Sequence, residues 1–215
     1  MVLYRLPILI FTMGIVYIFI VPPEPFFLNM LFKLIPMLLI VIYSFRKLPY
    51  KKSSIHSFIP IGLLFGMVGN ATSHLPAIAL LTFLLGHLFF TAGLITKWKW
   101  TTKRFIITFP LIVYGLIIGY VLLQLPHNQS HSSIVILFLY TIALFIMSYA
   151  TIMSGNIWAM MSSSLWMIAS SISAWNLFIA PIQLVEPLIV LIYYAAQFSM
   201  AHSLSMFENN KMIIW

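Results

Sequence analysis

Apolar residues fill this chain in long unbroken runs, without the strict alternation of a half-buried strand or the polar stripe of a surface helix. Crossing a bilayer as a helix takes about 20 mostly apolar residues. Read on that basis, the sequence predicts spans near 4–21, 27–45, 57–74, 77–96, 106–124, 132–153, 157–178 and 186–206. The connections are short and no low-complexity linker separates them, so residues 1–215 read as one domain, an all-α bundle of eight transmembrane helices. Pro22-Pro23-Glu24-Pro25 reads as the turn between the first two helices. No small-residue cleavage pattern follows the first, which is read as a retained span.

Composition closes off other classes. Of 215 residues, 62% are hydrophobic, and the charged residues are eleven Lys or Arg and three acidic ones, all Glu. That is too little charge to solvate the surface of a water-soluble domain. Without Cys there is no disulfide framework, no thiolate metal site and no cysteine nucleophile. The net charge of +8 does not imply nucleic acid, because the basic residues are distributed as a membrane topology requires. Arg5, Arg46, Lys47, Lys51, Lys52, Lys97, Lys99, Lys103, Arg104 and Lys211 all fall on one side of the predicted bundle. The positive-inside rule then makes both termini of this multi-pass protein cytoplasmic and leaves Glu24, Glu186 and the polar stretch Pro126–His131 on the opposite face. Trp98, Trp100 and Trp215 read as interfacial anchors. The sequon Asn128-Gln129-Ser130 is too short a match to carry weight.

In so apolar a chain, polar side chains inside the spans hold most of the functional information. Lys33 lies about 9 Å below the start of the second span at 1.5 Å per residue. A buried ammonium is held most cheaply beside a phosphate, a carboxylate or backbone carbonyls. Lys33 therefore reads either as an anchor for a headgroup phosphate or as a snorkelling residue reaching the interface. Asn70, within Gly66-Met67-Val68-Gly69-Asn70-Ala71, and Ser170 with Ser171 suit hydrogen bonding between helices or, alternatively, a polar site. His87 and Gln197 lie near the middle of the fourth and eighth spans. Lys33, Asn70, His87, Ser170 and Gln197 fall between about 6 and 16 Å below the same surface, the agreement in depth that one polar cavity requires. No span carries two His at i, i+3 or i, i+4, so no metal is expected. With no Asp and no Gly-x-Ser-x-Gly elbow, a Ser-His-Asp hydrolase is excluded. Gly69-Asn70 and Ala169-Ser170 occupy similar places in the third and seventh spans, a hint of a duplicated four-helix unit.

Five segments together resemble the lysoplasmalogenase-like (YhhN) membrane proteins. Phe32-Lys33-Leu34-Ile35-Pro36-Met37-Leu38-Leu39 is similar to that family's Lys-Pro-x-Pro motif, with Leu34 where a proline is common. Gly62-Leu63-Leu64-Phe65-Gly66-Met67-Val68-Gly69 resembles its third span and Phe83-Leu84-Leu85-Gly86-His87-Leu88-Phe89-Phe90 its fourth. Ala174-Trp175-Asn176-Leu177-Phe178 and Tyr193-Tyr194-Ala195-Ala196-Gln197 resemble parts of its seventh and eighth. The resemblance implies eight helices and hydrolysis of the vinyl ether of lysoplasmalogens to a fatty aldehyde and a glycerophospho-base. It also implies lipid binding by Lys33, Asn176 and Gln197, and no cofactor. The family pattern carries an Asp after the third-span glycine and another in the seventh span; those positions are Asn70 and Ser170 here.

Three readings follow. In the first, a divergent hydrolase, Lys33 holds the phosphate, His87 moves the proton, and Asn70 and Ser170 orient water. In the second, a non-catalytic relative binds membrane lipid or lysolipid in the same place. In the third, a small transporter uses the polar layer as its substrate site, although transporters typically show inverted repeats and broken helices.

Overall fold

The computed structural model describes residues 2–49, 53–123, 131–183 and 185–208. Lys51, Lys52, the stretch 126–130 with its sequon, Lys211 and Trp215 lie outside the described residues. Within them the chain forms α1 (Val2–Phe19), α2 (Phe26–Arg46), α3 (Ile55–Ala71), α4 (Pro76–Ile95), α5 (Thr102–Ile107), α6 (Phe109–Leu123), α7 (His131–Ser154), α8 (Ile157–Phe178) and α9 (Val185–Glu208). Six stretches are long and apolar enough to cross a membrane, and two shorter apolar helices, Arg5–Phe19 and Ile55–Ala71, accompany them. The molecule is an all-α, multi-pass membrane bundle, and each apolar stretch read from the sequence falls on helix.

The fifth predicted span is present but interrupted: Thr102–Val121 as a whole is long and apolar enough to cross a membrane, with one turn residue between its two helices. In place of a helix over 106–124, α5 starts earlier, capped by the Thr101 side chain, which accepts from Arg104 N at 3.4 Å. The chain then tightens at Thr108, whose N–H donates to Phe105 O at 3.1 Å, before α6 resumes. Pro110 is the physical reason: it has no N–H to give Ile106, and its ring displaces that carbonyl.

The helices pack as two close antiparallel pairs, α3 on α4 and α8 on α9, with α4 also on α7 and α1 on α2. In the bilayer, van der Waals fit takes over from hydrophobic driving force, and small residues let backbones approach. Gly62 and Gly86 do this between α3 and α4. A Cβ on Gly86 would sit 3.1 Å from the Gly62 carbonyl, and one on Gly62 would strike the Phe90 ring. α9 is the central element, touching α1, α2, α3 and α8.

At the end of the bundle that carries the basic residues, Arg104 departs from the expectation of a loop charge. It is 1% exposed, and Nη1 donates to Met153 O at 2.6 Å and Lys99 O at 3.2 Å. The guanidinium lies against Gly155, whose φ of +70° excludes most side chains and where a Cβ would collide with it. Asn156 follows as the cap of α8, accepting from Trp158 N and Ala159 N while its amide donates to Ser203 O.

Candidate functional site

At the opposite end, where α2, α4, α7 and α9 begin and α3 and α8 finish, the helices surround a cavity of about 330 Å³. Lys33, Asn70, Ser170 and Asn176, drawn from three separate helices, all line it. Four residues that are scattered over more than 140 positions of sequence thus face one space. The volume is at the lower bound of small-molecule sites.

Each of these side chains is held by its own element. Lys33 sits about 10 Å into α2 and is half-buried; its Nζ donates to Ser73 Oγ at 2.7 Å. Tyr194 of α9 fixes the same turn from behind, its hydroxyl donating to Lys33 O at 2.7 Å. Asn70 is buried in the last turn of α3, where its Nδ2 reaches back toward Gly66 O at 3.4 Å. Gly69 beside it leaves room for the Phe83 ring. Ser170 Oγ pairs with Tyr140 OH at 2.5 Å, and Ser173 Oγ with Tyr193 OH at 3.4 Å. Asn176 Oδ1 accepts from Ile182 N at 2.7 Å, folding the segment after α8 back over its end.

His87 and Gln197 are not among the lining residues. Phe83, Tyr140 and Tyr193 line the cavity, and these rings, joined by Trp166, form an aromatic floor: Phe83 stacks on Tyr193 at 5.5 Å and meets Trp166 edge-on at 5.3 Å. His87, one turn further along α4, lies against the Tyr140 and Trp166 rings at 5.3 and 4.8 Å. Its Nδ1 is bonded to Phe83 O at 2.6 Å, and Nε2 has no partner in the structure. Gln197 is buried with its amide pressed into the notch at Gly66, where a Cβ would collide with it.

Ser73, His74, Tyr17 and Asn29, which sequence reasoning does not single out, complete the polar mouth together with Glu186, which it places on this face without a site role. Tyr17 OH reaches Asn29 Oδ1 at 3.5 Å, Asn29 Nδ2 donates to Pro22 O at 3.1 Å, and Phe26 meets His74 edge-on. Among the described residues the cavity holds one ammonium, Lys33, and one carboxylate, Glu186, the latter exposed at its rim. Among the described residues no group of three His, Cys, Asp or Glu could hold a metal ion. Amide, hydroxyl and ammonium groups over an aromatic floor suit an amphiphile with an anionic head: the ammonium takes the anion, the amides and hydroxyls take ester or hydroxyl oxygens, and the rings take hydrocarbon.

Comparison with known proteins agrees in kind. The model of the YhhN family matches residues 28–204. No curated protein and no solved structure matches the chain.

Proposed function

The chain belongs to the YhhN family, and from that premise we propose that its cavity binds lysoplasmalogen-type lysolipids and cleaves their vinyl ether slowly. What supports this reading is that Lys33, Asn70 and Ser170 line a single cavity. Lys33 takes the phosphate, exchanging Ser73 for a phosphate oxygen. Asn176 and the Ser173–Tyr193 pair face the glycerol. Asn70 and Ser170 flank the enol ether. His87 and Gln197 act from beneath the floor, shaping it without touching the lipid.

The chemistry is what makes slow turnover the expectation. Cleavage begins when a proton is added to the alkene carbon farther from the ether oxygen, which leaves an oxocarbenium ion on the carbon bonded to that oxygen. Water adds to that ion and loses a proton, and the hemiacetal collapses to aldehyde and the glycerol hydroxyl. The step needs a general acid and an anion to stabilise the cation. Carboxyls do both, whereas the amide of Asn70 and the hydroxyl of Ser170 do neither near neutral pH. A positioned general acid or base contributes about 10²–10⁴-fold, and that is the deficit expected here.

The test is aldehyde release from a lysoplasmalogen by purified protein in detergent. Wild type is expected to be slow and the Asn70→Asp, Ser170→Asp double variant faster by about 10²-fold or more. Rapid wild-type turnover that the double substitution does not raise would overturn the slow-enzyme reading. A second reading, full hydrolysis, has one observation in its favour, the Glu186 carboxylate at the rim; it requires that Glu186→Gln abolish that rapid turnover. The cytoplasmic placement of both termini rests on the basic residues at the other end of the bundle.

A further inference from the structure

Beside the polar cavity lies a second cleft of about 220 Å³ between α6, α7 and α8. Leu137, Tyr140, Ser170 and Ala174 belong to both, so the two spaces are neighbours with a common wall. Their chemistry differs. Ile117, Ile118, Leu144, Phe145 and Trp175 line the second cleft, and its few hydroxyls are already engaged. Tyr114 OH pairs with Ser171 Oγ and donates to Met167 O, Thr141 Oγ1 donates to Leu137 O at 2.8 Å, and Tyr140 OH pairs with Ser170 Oγ. A polar ligand finds few free partners there, and hydrocarbon loses little by entering.

The outer wall is thin. α6 packs lightly, mainly against its neighbours α5 and α7, while Ile112, Val113, Leu116, Ile117 and Tyr120 are exposed, and a side chain at Gly119 would meet nothing within 4 Å. Tyr114 is the strut that ties α6 to α8, through Met167 and Ser171. A chain already in the bilayer therefore reaches the cleft sideways, past a helix with little packing to lose.

We propose that this cleft holds the hydrocarbon chain of a single-chain lipid whose headgroup occupies the polar cavity, so that the bond joining head to chain lies at the Tyr140–Ser170 hydroxyl pair. The inference rests on the lysolipid reading above and adds to it where the chain runs. Head and chain enter different compartments, and the common wall carries Ser170, the position flanking the bond to be cleaved.

The experiment uses the full chain in detergent with a lysophosphatidylcholine bearing a diazirine at the end of its chain, followed by photolysis and peptide mapping. Labelling is expected on Ile117, Ile118, Leu144, Phe145 or Trp175, displaced by unlabelled lysolipid and lost in Lys33→Gln. Ile118→Trp, which fills the cleft from the thinly packed helix, is expected to cut displaceable labelling by roughly tenfold, while Leu116→Trp on the exposed side of α6 leaves it unchanged. Melting temperature and gel-filtration profile report whether each variant is folded. Displaceable, Lys33-dependent labelling confined to α1, α2 or α9 overturns the chain assignment and leaves the lysolipid reading standing. Labelling of the cleft that unlabelled lysolipid does not displace means an ordinary bilayer chain fills it, and also overturns the assignment. Absence of any displaceable label overturns both.

Discussion

The ammonium of Lys33 donates to Ser73 Oγ at 2.7 Å, joining α2 to the turn after α3 across forty residues of sequence. A hydroxyl is a modest partner for a half-buried charge, and an anionic oxygen is a better one, since hydrogen bonds to ionised groups are about twice as strong. Ser73 thus ties the Lys33 ammonium to the turn after α3, and on the lysolipid proposal a phosphate oxygen takes its place.

From this, Ser73→Ala is expected to change lysolipid affinity little, by less than about fivefold, because the phosphate replaces the serine in the bound state. Lys33→Gln is expected to weaken it by roughly 10–100-fold, the worth of one charged hydrogen bond of about 1.5–3 kcal/mol. Lys33→Arg should fall between them. Isothermal titration with a short-chain lysolipid measures all three, and equal losses from Ser73→Ala and Lys33→Gln would contradict the exchange.

Asn70 and Ser170 present a second test, by addition instead of removal. Each single Asp variant is expected to show a smaller gain in aldehyde release than the double variant, because one carboxyl must give the proton while the other stabilises the cation. Asn70→Leu keeps neither polarity nor acid and should stay at the wild-type rate or below. A single Asp variant as fast as the double would mean that one carboxyl suffices.

Gly66 is a packing prediction. Its missing Cβ is the space that the buried Gln197 amide fills. Gly66→Ala should destabilise by about 1–3 kcal/mol through overpacking. Gln197→Ala in the same chain should recover much of that loss, so the two changes are non-additive. Thermal unfolding of the four proteins in one detergent reads the cycle; simple additivity would show that the contact is absent.

At the other end of the bundle, Arg104→Ala should lower stability by about 1–3 kcal/mol by taking the guanidinium donor from the Lys99 carbonyl and from the Met153 carbonyl, which keeps only the Lys99 N–H. Lys103→Ala, one residue away and exposed, should stay within about 0.5 kcal/mol of wild type. Melting temperatures that fall equally for both would contradict the buried role.

The spans were legible because a bilayer leaves few alternatives to an apolar helix of sufficient length. The break in the fifth was legible in principle from Pro110, since a proline disturbs the carbonyl four residues back. Lys33, Asn70 and Ser170 stood out as polar groups in apolar runs. Tyr140 and Tyr193 did not, because a tyrosine fits an apolar run as well as it fits a cavity wall. His87 matched the others in depth, but depth does not reveal what lies overhead, and Phe83 and Tyr140 separate it from the open space. Arg104 read as a loop charge because its partners, the carbonyls of Met153 and Lys99, have no sequence signature at all.

The central claim is that this cavity holds one lysolipid by its phosphate. Native mass spectrometry of the purified chain with added lysoplasmalogen addresses it most directly. One lipid per chain is expected on wild type, retained in Ser73→Ala and largely lost in Lys33→Gln. Equal occupancy of wild type and Lys33→Gln, or a ladder of several lipids with no preferred first, would contradict the account.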